Sequence, residues 1–197
     1  MKYKNIVFDF GNVIGKFNGK YMLEQFFPED ADLDLIFSTV FRNWTGLDAG
    51  TVDYWEYAKE TAALLPADLS GYVDAFFHGW PGHLTLLDDT LNFIDELKER
   101  QIPVYLLSNA PAYFADWVLE HHSFLKKFNG IVFSGPLKMA KPDPEIYRYL
   151  FESCHLEPNE CFFIDDLEAN INAGRALGMD GLVFTGDIEK VKDAIGF

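Results

Sequence analysis

Four groups of polar residues each follow or closely trail a short apolar run, and their side-chain types suit chemistry at a phosphoryl group. They are an aspartate, a hydroxyl beside an amide, a lysine and a pair of acids: Asp9, Ser108 with Asn109, Lys141, and Asp165 with Asp166. A carboxylate can act as a nucleophile, a hydroxyl and a lysine can hold an anion, and paired acids can hold a cation. Together these are the parts needed for metal-assisted attack on a phosphoryl group.

The three acids are predicted to share one site. Asp9 ends the first apolar run and Asp165 ends the fourth, and the first and fourth major strands of a parallel sheet can be neighbours. Three unpaired carboxylates in one pocket repel each other and need a cation, and oxygen-only ligands suit Mg²⁺. Acids that cap helix starts are the alternative, which is plausible for Asp165 but explains all three acids poorly.

An anion site is predicted where Ser108 and Asn109 lie between an apolar run and Pro111. A hydroxyl and free backbone N–H groups at a helix N-terminus bind anions, although an ordinary helix cap is the more frequent meaning of this motif alone. Lys141 precedes a proline, which favours an extended backbone and directs the side chain across the strand ends. The alternative is a solvated loop lysine, with Lys138 as the built-in comparison.

Five apolar runs of strand length would position these residues. They lack the alternation of half-buried strands and are typical of parallel strands buried on both faces. Helical patterns lie between the later runs, so the sequence predicts an α/β fold with a doubly wound parallel sheet. In such a sheet ligands bind at the carboxyl ends of the strands. The predicted strands are 5–9, 102–108, 130–134, 161–165 and 181–185.

Residues 16–82 break this alternation of strands and helices. They contain helical patterns at 21–27, 34–41 and 53–65, and 14 of the 32 aromatic residues. We interpret this segment as an inserted α-helical cap, joined to an α/β core made of residues 1–15 and 83–197. Most of the aromatics are predicted to form the core of the insertion, with a few facing the cleft.

Composition narrows the possible partners. The net charge is −15 and no basic stripe is present, which argues against nucleic acid and against an anionic membrane surface. No apolar run approaches a membrane span, and the first strand starts too early to leave room for a signal peptide. Cys154 and Cys161 are interpreted as reduced structural thiols. We expect a soluble, cytoplasmic protein with a small phosphorylated substrate; its oligomeric state is left open.

The four motifs resemble those of the haloacid dehalogenase superfamily, in the order in which that family carries them. They are FDFGNVI at 8–14, LLSN at 106–109, KPDPEIY at 141–147 and FFIDDLEANINAGRALGM at 162–179. The resemblance covers nearly the whole chain and is nearest to a subgroup with a D-x-G-N-V first motif and a helical cap, which includes sugar-phosphate phosphatases. It implies a Rossmann-like core and a Mg²⁺-dependent phosphatase.

The resemblance also implies roles for individual residues in phosphoryl transfer. Asp9 would form an aspartyl-phosphate, and Ser108, with Asn109 beside it, would bind the transferring phosphoryl group. Lys141 would neutralise the charge of that group and orient the nucleophile.

A magnesium site is implied by the same resemblance. Asp9, the carbonyl of Gly11 and Asp166 would ligate Mg²⁺, with Asp165 close to the ion. Asn170 would either support these acids from behind or lie on the helix surface.

Gly11 departs from the family pattern, since most phosphatases of the family carry there a second aspartate that protonates the leaving alcohol. General acid–base help is commonly worth ~10²–10⁴ in rate. The glycine therefore predicts a rate that depends on the basicity of the leaving group. An anomeric sugar phosphate fits this prediction, because its leaving group is less basic than a simple alcohol.

Three functions remain open on the sequence. The leading one is a Mg²⁺-dependent phosphatase of a small phosphorylated metabolite, such as a hexose 1-phosphate. A metal-independent 2-haloacid dehalogenase needs no proton for its halide, which suits Gly11 but leaves Asp165 and Asp166 poorly used. A catalytically weak module that binds a phosphorylated ligand or a partner protein is the third.

Overall fold

The computed structural model describes residues 1–197 and contains seven strands and eleven α-helices. The strands are β1 (Asn5–Phe8), β2 (Gly15–Lys16), β3 (Thr85–Leu86), β4 (Val104–Ser108), β5 (Gly130–Phe133), β6 (Cys161–Asp165) and β7 (Asp180–Val183). The helices are α1 (Gly19–Glu24), α2 (Leu33–Val40), α3 (Trp44–Asp48), α4 (Tyr54–Leu64), α5 (Ser70–Gly79), α6 (Asp88–Glu99), α7 (Ala112–His121), α8 (Ser134–Leu137), α9 (Pro144–Ser153), α10 (Glu168–Ala176) and α11 (Ile188–Ile195).

Five strands form one parallel sheet in the order β5-β4-β1-β6-β7. β1 lies at its centre, where Ile6 is opposite Val104 on one side and Phe162 on the other. The sequence therefore predicted correctly that the first and fourth major strands are neighbours. All five predicted strands are confirmed to within two residues at each end.

Helices cover both faces of the sheet, which confirms the doubly wound α/β fold. Successive residues of β1 point to opposite faces: Ile6 and Phe8 belong to the larger hydrophobic cluster, and Val7 belongs to the smaller one. The larger cluster also includes side chains of α6, α7 and α11, whereas α9 and α10 contribute to the smaller cluster. Burial on both faces explains why the strands read as continuous apolar runs.

The helices α1–α5 lie between β2 and β3, in the segment where the sequence predicts an insertion. The two short strands pair antiparallel, with Gly15 opposite Leu86, and so bring the two ends of the segment together. The predicted helices at 21–27, 34–41 and 53–65 are confirmed as α1, α2 and α4. The sequence patterns missed the β2–β3 pair, the helices α3, α5 and α8, and α11 near the end of the chain.

The inserted helices pack on the core through aromatic rings. Trp80 stacks on Phe114 of α7 with ring centroids 5.1 Å apart, and Tyr54 stacks on Tyr113 of the same helix at 4.7 Å. These contacts make the aromatic core of the insertion continuous with the larger cluster of the main sheet. None of the helices is both long and apolar enough to cross a membrane, and the cytoplasmic location stays a prediction.

Candidate active site at the carboxyl ends of the strands

Asp9 follows β1 directly and is held at the centre of the sheet edge. Its backbone N–H donates to the carbonyl of Ile164 at 2.8 Å, and its side chain is almost fully enclosed. The chain then turns back on itself through Asn12, which has a positive φ of 55°. The Asn12 side chain accepts from the N–H of Phe17 at 3.1 Å and donates to Asp166 at 2.9 Å. Sequence reasoning missed this asparagine, although it lies within the first motif.

Lys141 lies at the centre of a buried ionic network. Its Nζ is 2.8 Å from Asp9 Oδ1 and 2.6 Å from Asp165 Oδ2, and it donates to the carbonyl of Leu107 at 2.8 Å. The lysine side chain is 1% exposed, whereas Lys138 is exposed. Lys141 is therefore a buried cation that holds two carboxylates from adjacent strands, and the alternative of a solvated loop lysine does not apply.

The charges in this network set the protonation of its members. Burial raises the pKa of Asp9 to about 6, with the attraction of Lys141 opposing the rise and the repulsion of Asp165 adding to it. Burial lowers the pKa of Lys141, but the two carboxylates beside it more than compensate, so its pKa lies above the ordinary value. The lysine therefore stays charged.

Asn109 holds the backbone of Lys141. Its Oδ1 accepts from the N–H of Lys141 at 2.8 Å, and its Nδ2 donates to the carbonyl of the same residue at 2.8 Å. Asn109 also lines the cavity, and its role in substrate binding stays a prediction. Ser108, at the end of β4, lines the cavity beside Asp9, as the sequence predicts.

Three acids come together at this edge of the sheet, as predicted. Carboxylate oxygens of Asp9, Asp165 and Asp166 lie within 4.8 Å of one another. Both oxygens of Asp165 accept from Asn170 at 3.0 Å, so Asn170 supports this acid from behind and is buried with it. Asp166 is only half-buried and lines the cavity. Oxygen donors of this kind are the ligands that Mg²⁺ prefers.

Gly11 also lines the cavity. Its φ is not positive, so the backbone does not require glycine there, and a Cβ atom would meet only Asp9 Oδ2, at 3.8 Å. The position therefore has room for a side chain.

The cavity itself has a volume of about 430 Å³ and lies between the strand ends and the inserted helices. The insertion contributes aromatic rings to its wall, from Phe17, Trp44 and Trp80, so the prediction that a few aromatics face the cleft is confirmed. It also contributes one acid, Asp48, at the end of α3. Burial and, to a lesser extent, the negative charge of Asp9 raise the pKa of Asp48 to about 8, and the charge of Lys141 partly opposes the rise.

Asp48 is the second residue that sequence reasoning missed. It lies in a helical segment rich in acids, where an aspartate is expected to be solvated. Nothing in its sequence neighbourhood distinguishes it from those other acids.

Comparison with known proteins agrees with this geometry. The family model of haloacid dehalogenase-like hydrolases matches residues 3–178. The D-ribitol-5-phosphate phosphatase of Bacteroides thetaiotaomicron is 31% identical over 190 residues, which cover 90% of this chain and 89% of that protein.

Two solved structures share the fold. A wild-type HAD family enzyme from Bacteroides thetaiotaomicron, in complex with magnesium and inorganic phosphate, has a TM-score of 0.72 and 25% identity, covering 96% of this chain and 98% of that one. The L-2-haloacid dehalogenase of Xanthobacter autotrophicus has a TM-score of 0.68 and 17% identity, covering 91% of this chain and 76% of that one, and so shows the fold alone. The matched motifs, sheet and site agree: this chain belongs to the haloacid dehalogenase-like hydrolases.

Proposed function

We propose that the protein is a Mg²⁺-dependent phosphatase that hydrolyses a small phosphorylated metabolite through an aspartyl-phosphate on Asp9. The observation that carries the proposal is the buried network in which Lys141 lies 2.8 Å from Asp9 and 2.6 Å from Asp165, beside a cluster of acids. A structural salt bridge alone would not need three carboxylates clustered beside a cavity.

The proposed reaction consists of two successive displacements at phosphorus. The Ser108 hydroxyl holds an oxygen of the phosphoryl group, and the charge of Lys141 neutralises that group while its hydrogen bond fixes the orientation of Asp9. A carboxylate oxygen of Asp9 then attacks phosphorus, the bond to the leaving oxygen breaks, and an alcohol departs. Water next attacks the phosphoryl group on Asp9, which releases inorganic phosphate and restores the carboxylate.

The residues at the sheet edge fit a magnesium ion. Asp9, Asp166 and the carbonyl of Gly11 would hold it, with Asp165 close by. When bound, Mg²⁺ neutralises charge on the phosphoryl oxygens. Asn12 keeps Asp166 oriented towards the cavity by its 2.9 Å hydrogen bond. The related enzyme crystallised with magnesium and inorganic phosphate supports this part of the proposal.

The cavity supports a sugar or polyol phosphate as substrate. Its volume of about 430 Å³ lies in the range of small-ligand sites. Aromatic faces from Trp44 and Trp80 can pack on the apolar face of a sugar or polyol. The similarity to a D-ribitol-5-phosphate phosphatase supports the same class, which includes hexose 1-phosphates.

The test is hydrolysis of an aryl phosphate and of a panel of sugar and polyol phosphates, with Mg²⁺ and with excess chelator. We expect activity to disappear in chelator and to return when Mg²⁺ is added. Asp9→Asn should lower kcat by about 10⁴-fold or more, as removal of a covalent nucleophile does elsewhere. Asp68→Asn is the matched control, because this exposed acid of the insertion loses the same charge.

Several results would overturn the proposal. Full activity in chelator would show that the reaction needs no metal. Activity that survives Asp9→Asn would show that Asp9 is not the nucleophile. Metal-independent release of chloride from 2-chloropropionate would favour a dehalogenase instead. Binding of phosphate esters without turnover would favour a binding module.

A further inference from the structure

The proposed reaction leaves one proton without a donor. When the bond between phosphorus and a sugar or polyol oxygen breaks, its electron pair goes to that oxygen, which must gain a proton to leave as an alcohol. Gly11 has no side chain to supply it. Lys141 is committed to Asp9, Asp165 and a carbonyl, and so cannot act on the opposite side of the cavity.

The insertion brings one carboxyl group to that opposite side. Of the acids in residues 16–82, only Asp48 lines the cavity that also contains Asp9 and Ser108. The charged groups that face this cavity from the core are Asp9, Lys141 and Asp166, and Asp48 forms no salt bridge with any of them. Its carboxyl group is therefore free to bind a substrate atom.

The backbone fixes Asp48 to the core at this point. The Ser134 hydroxyl donates to the carbonyl of Asp48 and accepts from the N–H of Ala110 at 2.8 Å. Gly50 lies so close to α8 that a Cβ atom there would be 2.1 Å from the carbonyl oxygen of Gly135. The end of α3 is thus joined to the loop that follows Ser108, and Asp48 is held in register with the phosphoryl side of the site.

We propose that Asp48 is the catalytic acid and base that replaces the side chain absent at position 11. The inference rests on the proposed function. In the first displacement the Asp48 carboxyl gives its proton to the leaving oxygen as the bond to phosphorus breaks, and Asp48 becomes a carboxylate. In the second it takes a proton from the water that attacks the phosphoryl group on Asp9. Each turnover therefore returns Asp48 to its starting state.

The local electrostatics suit this cycle. Burial and the negative charge of Asp9 favour the neutral form of Asp48, which raises its pKa to about 8. A carboxyl group that is protonated near neutral pH can act as a donor in the first step. Gly11 alone led us to expect a rate that depends strongly on the basicity of the leaving group. With Asp48 as the acid, we expect only a weak dependence in the wild-type protein.

The experiment compares Asp48→Asn with the wild type over phosphate esters from aryl to primary alkyl leaving groups. We expect a shallow dependence on leaving-group pKa in the wild type and a steep one in the variant. Single-turnover rates for alkyl phosphates should fall by ~10²–10⁴-fold. The pre-steady-state burst with p-nitrophenyl phosphate should persist, because that leaving group needs no proton. Glu56→Gln, the same change of carboxyl to amide at an exposed site in the same insertion, should change neither the leaving-group dependence nor the burst.

A second variant tests the same role independently. Adding Gly11→Asp to Asp48→Asn supplies a carboxyl where the backbone has room for one, and it should restore much of the alkyl phosphate turnover. An unchanged leaving-group slope in Asp48→Asn would overturn the proposal. Loss of the aryl burst as well would also overturn it, since the residue would then be structural. A wild type that hydrolyses no phosphate ester would instead contradict the proposed function itself.

Discussion

The two sides of the cavity are built differently. On the core side the polar groups are tied to one another: Lys141 to two carboxylates, Asn109 to the backbone of Lys141, and Asn170 to Asp165. On the insertion side the wall is aromatic and carries the single acid Asp48, which forms no salt bridge.

This difference indicates that the core side recognises the phosphoryl group and that the insertion side recognises the leaving group. A network whose members hold one another in place has little freedom to adapt, which suits a phosphoryl group that is the same in all substrates. An aromatic wall with one carboxyl can vary without breaking a network, which suits the leaving group. Changes on the core side should therefore affect all substrates alike, and changes on the insertion side should discriminate among them.

The largest effect is expected from Lys141→Met. The substitution leaves Asp9 and Asp165 buried and facing each other without their cation, and removing one partner of a buried ion pair typically costs about 3–5 kcal/mol. Unfolding by urea should show a loss of this size at pH 8. Turnover of aryl and alkyl phosphates should fall together, because both depend on the same network.

The loss should shrink at low pH. Without the lysine, the attraction that holds down the pKa of Asp9 is gone, so the folded-state pKa rises above about 6, further from its ordinary value of 3.8. A carboxyl whose pKa is higher in the folded state loses stability as pH rises through that window. Stability of the variant should therefore decrease from pH 5 to 8 more steeply than in the wild type. Lys138→Met, at an exposed site, should be nearly neutral; an equal loss there would contradict the argument.

The core side could be predicted from the sequence because its residues are tied to strand ends. The buried parallel strands read as apolar runs, and topology then brings Asp9, Ser108 and Asp165 to one edge. Lys141 could be predicted because a proline fixes the backbone beside it. The position of Asn109 could be predicted as well, but not its hydrogen bonds, which depend on the fold of a loop 32 residues away.

The insertion side could be predicted only as helical and aromatic. Asp48 reaches the site through a hydrogen bond to Ser134, 86 residues later in the chain. No local sequence pattern predicts a contact between residues so far apart in the chain. The β2–β3 pair was missed for a related reason, since Gly15 and Leu86 form strands only because the insertion between them folds back.

Gly50→Ala should have an intermediate effect, and it should distinguish the contribution of the insertion side from that of the core side. The residue has a φ of +64°, and its new Cβ would overlap the carbonyl oxygen of Gly135, so a cost of about 1–3 kcal/mol is expected. Displacement of α3 would move Asp48 while leaving the core network intact. Alkyl phosphate turnover should therefore fall more than aryl phosphate turnover.

The matched control for this prediction is Gly71→Ala, also within the insertion. A Cβ at Gly71 would meet nothing within 4 Å, and alanine favours the helix in which it lies. Equal losses of aryl and alkyl turnover in Gly50→Ala would show that α3 does not act on the leaving group.

Asn109→Ala should have the smallest effect. Unlike Gly50→Ala, it should not discriminate between aryl and alkyl phosphates. The substitution removes both hydrogen bonds that hold the backbone of Lys141, but Asn109 borders the cavity, so water can replace its amide. The expected loss of stability is about 1 kcal/mol. A small shift of Lys141 weakens its hold on Asp9, so aryl and alkyl phosphates should lose turnover by the same factor.

Asn92→Ala, on the exposed face of α6, is the control and should leave both rates unchanged. A loss confined to alkyl phosphates would show that Asn109 acts on the leaving group, and the division between the two sides of the cavity would then be wrong.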